Sequence, residues 1–232
     1  MACIFCASGA AAVKRNLAAC EIVEQALHLQ NALPADERVN SVVVMGMGEP
    51  FLNYDRLVRA RETLHAPWGM GIGTHHITVS TVGLVDMIEA FAEHPLATHL
   101  AVSLHAPDDE LRAELIPNVA KASISDLVRA AVSYKRRAGK DVTFEYVLIA
   151  GRNDQVRHAH ALARRVSGTG IKVNLIPLNK IDFAPLTAPA HTQVRAFQGA
   201  LEQAGVTCTV RRRRGSEIDA ACGQLRLTEM KK

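Results

Sequence analysis

Short runs of β-branched and apolar residues alternate with stretches of helical periodicity along nearly the whole chain. Six runs predict strands: Val39–Gly46, Ile77–Thr81, His99–Leu104, Val142–Ile149, Lys172–Ile176 and Val206–Arg211. Most are almost continuously apolar, the pattern of strands in a parallel sheet, where a clean polar alternation is missing. Between and before them, apolar positions recur at helical spacing in Cys20–Gln30, Tyr54–Leu64, Val85–Ala92, Ile124–Ala138, Val156–Val166 and Thr192–Ala204. Asn53 ahead of the second helix and Gly205 after the last are start and stop signals. The repeated strand–helix order with short connections implies one α/β domain with a parallel sheet. Order alone leaves an open sheet and a barrel both standing. Each predicted strand but the last runs into a small or polar cluster: Gly46–Pro50, Ser80–Gly83, Ser103–His105, Glu145 with Tyr146, and Pro177–Asn179. Ligands of parallel α/β sheets sit at the carboxyl ends of the strands, so these clusters predict one shared site there.

Composition narrows the class. The 232 residues are 48% hydrophobic and 22% charged, which excludes disordered and fibrous chains. No apolar run reaches the roughly 20 residues that a membrane-spanning helix needs. The first residues, Met1–Cys6, lack the basic and apolar regions of a secretory signal, so the expected compartment is the cytoplasm. Five cysteines, an odd count, argue against a closed disulfide framework. The net charge of +4 permits a nucleic-acid partner without requiring one. With only 4% aromatic residues, base stacking on an aromatic platform is not the expected mode of binding.

Several groups could carry chemistry. Cys3 and Cys6 form a C-x-x-C pair, a spacing that lets two thiolates bind one metal or cluster. By itself the pair fits half a zinc site, a redox pair or two incidental cysteines. Gly46-Met47-Gly48-Glu49-Pro50 offers close backbone approach and one carboxylate, but it lacks the third glycine of a dinucleotide fingerprint. Read by itself, it is a tight turn with one carboxylate. Ser103 and His105 stand two apart and so share a face of their strand. No G-x-S-x-G elbow surrounds Ser103, which leaves hydrogen bonding to a ligand, or a capped turn, in place of hydrolysis. Arg211–Arg214 is a basic run suited to a solvated loop or to phosphate contact. Cys222 lies between Ala221 and Gly223, where little bulk blocks access; it reads either as an inert small hydrophobe or as a reactive thiol.

Taken together, Cys3-x-x-Cys6, Arg15-Asn16-Leu17, Gly46–Pro50, Ile77–Thr81, Leu100–Pro107, Phe144–Leu148, Val173–Asn179 and Ile218–Leu225 resemble the radical-SAM RNA adenine methyltransferases of the RlmN and Cfr type. The resemblance runs from Ala2 to about Leu227, and its specificity lies in eight modest motifs standing in the right order. It implies a partial (βα) TIM-like barrel whose strand ends surround a [4Fe–4S] cluster and S-adenosylmethionine (SAM). It also implies methylation of an adenosine in large-subunit ribosomal RNA, at C-2 in the RlmN branch, with transfer RNA a further substrate of some members. A C-8 branch that confers antibiotic resistance and a catalytically dead RNA- or SAM-binding remnant are the alternatives. In the family SAM first methylates a cysteine; a second SAM, cleaved at the cluster with electrons from a donor such as a flavodoxin, yields the radical that activates that methyl group for addition to the base.

Residue by residue, the resemblance assigns Cys3 and Cys6 to the cluster and Cys222 to the methyl-carrying role. It assigns Gly48 and Glu49, Ser80, Ser103, Leu104 and His105, and Asn179 to SAM. It further implies that residues 1–232 form the radical-SAM core domain without its first strand. The family's first cluster cysteine would stand four positions before Cys3, and its accessory domain and second catalytic cysteine lie further upstream. The chain is therefore expected to be N-terminally truncated, with one thiolate too few for a stable cluster.

Overall fold

The structure is a computed structural model that describes residues 3–6, 13–117, 122–179 and 184–211. Among the described residues six strands, β1 (Val42–Val44), β2 (Ile77–Thr81), β3 (His99–Ser103), β4 (Val142–Leu148), β5 (Lys172–Pro177) and β6 (Cys208–Val210), form one sheet in chain order. Every neighbouring pair is parallel. Seven α-helices accompany them there: α1 (Ala19–Asn31), α2 (Tyr54–His65), α3 (Val85–Ala92), α4 (Asp109–Leu115), α5 (Ile124–Ala138), α6 (Val156–Val166) and α7 (His191–Gln203).

The sequential order decides between the two architectures left open by the sequence. A doubly wound sheet reverses its strand order at a switch point, whereas this sheet steps one way throughout. Right-handed crossovers that all step in one direction place the helices on one face and curl the sheet around the other. The partial (βα) barrel follows. Side chains of alternate strand residues divide accordingly. Val79, Val102, Phe144, Tyr146, Val173 and Leu175 pack with Leu57, Phe91, Leu127, Leu162 and Phe197 of the helices into the main core. The intervening residues, among them Ser80, Ser103, Glu145, Asn174 and Thr209, line the concave inner face.

Local chemistry accounts for where the elements start and stop. Helix α5 begins with a capping box in which the Ser123 hydroxyl accepts from the Asp126 amide, and it ends at Gly139 in the left-handed conformation, φ 63°. Strand β1 is shorter at both ends than the sequence pattern predicts, and just past its carboxyl end Gly46 and Gly48 take φ 141° and 89°. Helix α4 was not expected. Its N-cap, Asp108, accepts from the Leu111 amide at 2.9 Å, but only seven residues follow, too few for a visible apolar period.

Gly83, at the β2–α3 turn, has φ 105°, and a β-carbon there would lie 2.4 Å from Leu127 Cδ2 of α5. Gly83→Ala is expected to cost about 2 kcal/mol through overpacking and backbone strain together. Urea denaturation of both proteins checks this; a loss within about 0.5 kcal/mol would show that α5 shifts without penalty.

Candidate active site

The β1–α2 turn is tied to the end of β2 by one buried carboxylate. Glu49 Oε1 accepts from the Phe51 amide at 3.1 Å and Oε2 from the Val82 amide at 2.7 Å. Burial pushes the Glu49 pKa up, while the Val82 amide, the Thr81 hydroxyl and the Phe51 amide pull it back. Each carboxylate oxygen has two acceptor sites, so these bonds leave capacity for a ligand. Gly48 beside it has open space ahead, since a β-carbon there would meet nothing nearer than Val13 Cγ2 at 3.8 Å; its φ of 89° is what calls for glycine.

The inner face carries a polar row that crosses four strands. In register, Ser103 of β3 pairs with Glu145 of β4, Glu145 with Asn174 of β5, and Asn174 with Thr209 of β6. Asn174 Nδ2 donates to Glu145 Oε2 at 2.8 Å, and Thr209 Oγ1 donates to Asn174 Oδ1 at 3.0 Å. Ser80 and Ser103 are half-buried on this face. Asn174 and Thr209 were not singled out by sequence, and Glu145 was noted only as a polar strand residue.

His105 follows β3 in a left-handed conformation, φ 61°. Its Nδ1 accepts from the Val147 amide at 3.0 Å, so the ring proton sits on Nε2. Burial, reinforced by the nearby Arg112 guanidinium, lowers its pKa to about 3, and the ring is neutral at physiological pH. It is therefore a donor and not a proton carrier. Among the described residues no hydrogen bond joins the Ser103 hydroxyl to it, in keeping with the absence of a nucleophile elbow. Asn153, wholly buried, holds the loop in place: Nδ2 donates to the carbonyls of His105 at 2.8 Å and Val147 at 2.6 Å. The Leu104 side chain is sealed in the main core, so only its backbone can meet a ligand. Asn179 is half-buried two residues past β5.

Arg112 of α4 reaches under these loops. One guanidinium nitrogen, Nη2, donates to the Val82 carbonyl at 2.6 Å and to the Ser103 carbonyl at 3.3 Å. It thereby joins the ends of β2 and β3. Sequence reasoning missed it with the helix that carries it.

The Cys3–Cys6 segment docks on the same end of the sheet. Ile4 donates to the Leu115 carbonyl at 3.1 Å, and the Phe5 ring meets the His105 ring edge-on at 4.8 Å. A tight turn, with the Cys6 amide on the Cys3 carbonyl at 3.1 Å, brings the two thiols together. Burial and the neighbouring Cys6 push the Cys3 pKa up to about 11, so this thiol is protonated at neutral pH. Two coupled thiols on one turn fit iron, as part of a cluster's ligand set. Among the described residues no group of three or more His, Cys, Asp or Glu side chains could hold a metal ion. Cys222 and Arg212–Arg214 lie outside the described residues. Among the described residues no helix is long and apolar enough to cross a membrane.

A half-barrel with helices on one face, polar side chains on the other and a cysteine turn at the carboxyl ends defines one class of (βα) barrel core. The chain belongs to the radical SAM superfamily, whose family model matches residues 1–163. It is 46% identical over 226 residues to a probable dual-specificity RNA methyltransferase RlmN of Rhodopirellula baltica, a match covering 97% of this chain and 61% of the relative. A relative of the same description from Bacillus thuringiensis is 46% identical over 230 residues, covering 99% and 64%. The chain thus spans somewhat over three-fifths of the length of these relatives. The crystal structure of a radical SAM methyltransferase from Sphaerobacter thermophilus superposes with a TM-score of 0.92 at 44% identity, covering 96% of this chain and 66% of that one. Streptococcus suis SuiB bound to S-adenosylmethionine, at 16% identity and a TM-score of 0.65, shares the fold.

Proposed function

We propose that this chain is the SAM-binding core of a cytoplasmic RNA methyltransferase that adds a methyl group to C-2 of an adenosine in large-subunit ribosomal RNA, with transfer RNA as a further substrate. The observation that carries the reading is the convergence of Glu49, Ser80, Ser103 and His105 at the carboxyl end of a one-sided parallel sheet, beside the Cys3–Cys6 turn. Cys3 and Cys6 would supply two of the thiolates that hold a [4Fe–4S] cluster, and the cluster when bound would supply the electron for SAM cleavage, received from a donor such as a flavodoxin. Gly48 leaves its backbone open to the cofactor, and Glu49 accepts from the cofactor's ammonium group. Ser80, Ser103 and Asn179 hydrogen-bond its polar groups, the Leu104 backbone flanks it, and His105 donates through Nε2. Cys222 carries the methyl group from cofactor to base.

The test uses a cluster-loaded preparation extended to the length of the relatives, with ribosomal RNA as substrate and methyladenosine measured by mass spectrometry. The unsubstituted protein is expected to yield 2-methyladenosine, and Cys222→Ala none, with cluster absorbance and SAM binding retained. Substantial product from Cys222→Ala would sink the methyl-cysteine role, and methylation at another carbon would overturn the C-2 assignment.

A further inference from the structure

Glu145 is buried, 6% exposed as a residue, and one of its two carboxylate oxygens is committed. The commitment has a fixed direction. The Thr209 hydroxyl occupies Asn174 Oδ1, which orients the amide so that Nδ2 faces Glu145 Oε2. Glu145 Oε1 has no hydrogen-bond partner among the described residues. The fully enclosed side-chain nitrogens and oxygens without a partner there are the Nε atoms of Arg61 and Arg112, so Glu145 Oε1 is not fully enclosed. Oε1 is therefore an open acceptor that a ligand donor can fill. Ser103 stands in register on one side of Glu145, and Arg211 is close enough on the other to bias the carboxylate by its charge. A ligand fitting this row offers N–H or O–H donors to a carboxylate and hydrogen-bonds a serine, with an anionic group near an arginine. An adenosine unit has such donors in its exocyclic amine and its ribose hydroxyls, and in RNA it carries the phosphate as well.

We propose that Glu145, oriented by Asn174 and Thr209, is a binding residue that accepts a hydrogen bond from an adenosine unit inside the barrel. The inference rests on the RNA methyltransferase reading and adds a subsite to it. Two molecules bring adenosine to this chain under that reading, SAM and the target RNA, and binding measurements separate them.

Glu145→Gln keeps the size of the side chain and its acceptor for Asn174, but replaces the free acceptor oxygen with a donor. Affinities of the cluster-loaded preparation extended to the length of the relatives, with and without the substitution, are measured by isothermal titration at fixed salt for SAM and for a short RNA containing one adenosine. The same RNA with inosine, which lacks the exocyclic amine, is the control. Loss of a hydrogen bond to a charged group corresponds to about a tenfold weakening or more. A tenfold loss confined to SAM assigns Glu145 to the cofactor's adenosine; one confined to the RNA assigns it to the target nucleotide. In the second case, if the amine is the donor, inosine in place of adenosine weakens binding to the unsubstituted chain but not to Glu145→Gln; if the ribose is the donor, the exchange changes neither affinity and the tenfold gap between the two proteins persists. Unchanged affinity for both ligands overturns the inference and leaves the wider reading intact. Failure of the unsubstituted chain to bind either ligand overturns both. Should Glu145→Gln not fold, Thr209→Val removes only the hydroxyl that orients Asn174. A loss of about threefold for one ligand is then expected, and no loss overturns the inference.

Discussion

Asn153→Ala is expected to destabilise the protein by about 4 kcal/mol. The side chain is fully enclosed and makes three bonds: its Oδ1 accepts from the Ile149 amide at 2.8 Å, and its Nδ2 donates to the carbonyls of His105 and Val147. Alanine leaves one amide and two carbonyls unpaired where water does not reach, at about 1–3 kcal/mol each. The damage is directed as well as large. His105 sits at φ 61°, a conformation that costs a residue with a β-carbon, and its carbonyl is one of the groups released. The Tyr146 hydroxyl bonds the Asn153 backbone carbonyl at 2.9 Å, so this contact outlasts the substitution only if the loop keeps its course. Asn153→Asp is the informative companion. It retains the acceptor for Ile149 but sets a carboxylate oxygen against two carbonyl oxygens, so it is expected to be no more stable than alanine. Equilibrium urea denaturation of the three proteins gives the comparison. A loss below about 1 kcal/mol for Asn153→Ala would mean that water enters and replaces the amide.

The strands were legible because burial in a parallel sheet selects continuous β-branched runs, as in Ile77–Thr81, where the sequence pattern and β2 coincide. Helices α3, α5 and α6 coincide with their patterns for the corresponding reason, each having a clear apolar stripe. That Glu49, Ser103 and His105 would lie at neighbouring strand ends was legible too, since they interrupt or end apolar runs. What escaped were partnerships made by register and crossover. Asn153 lies 48 residues from His105, and Arg112 lies 30 from Val82, with no local pattern to join them. Glu145 stands inside an apolar run and looks like an interruption until the register sets it beside Ser103 and Asn174. Sequence also placed Ser103 and His105 on one strand face; β3 in fact ends at Ser103, and the left-handed turn at His105 is fixed by Asn153 and Glu145, both distant in the chain.

Lowering the pH from 6.5 to 4 is expected to remove about 3 kcal/mol of stability through His105 alone. In the unfolded chain the imidazole takes up its proton near pH 6.5, whereas burial and the Arg112 charge hold the folded pKa down to about 3. Between these values the unfolded state binds the proton and the folded state does not. The His105 contribution is therefore fully present above pH 6.5 and is lost as the pH falls, at about 1.4 kcal/mol per pH unit, until the folded ring protonates near pH 3. Protonation also places a proton on Nδ1, the atom that accepts from the Val147 amide, so the charged ring cannot keep that bond. Glu49 and Glu145 act in the opposite direction. Burial raises their pKa values, so they take up protons more readily in the folded state as the pH falls and offset part of the loss. The raw pH profile thus mixes signs, and the difference between the native chain and His105→Asn isolates the imidazole. Asparagine tolerates the left-handed backbone and does not titrate. Urea midpoints measured from pH 7 to pH 4 should show the native protein losing about 3 kcal/mol more than the variant, whatever the variant's stability at pH 7. Parallel profiles would mean that the ring protonates in place, which requires the Val147 amide to have turned away and the seal formed by Phe5 to have opened.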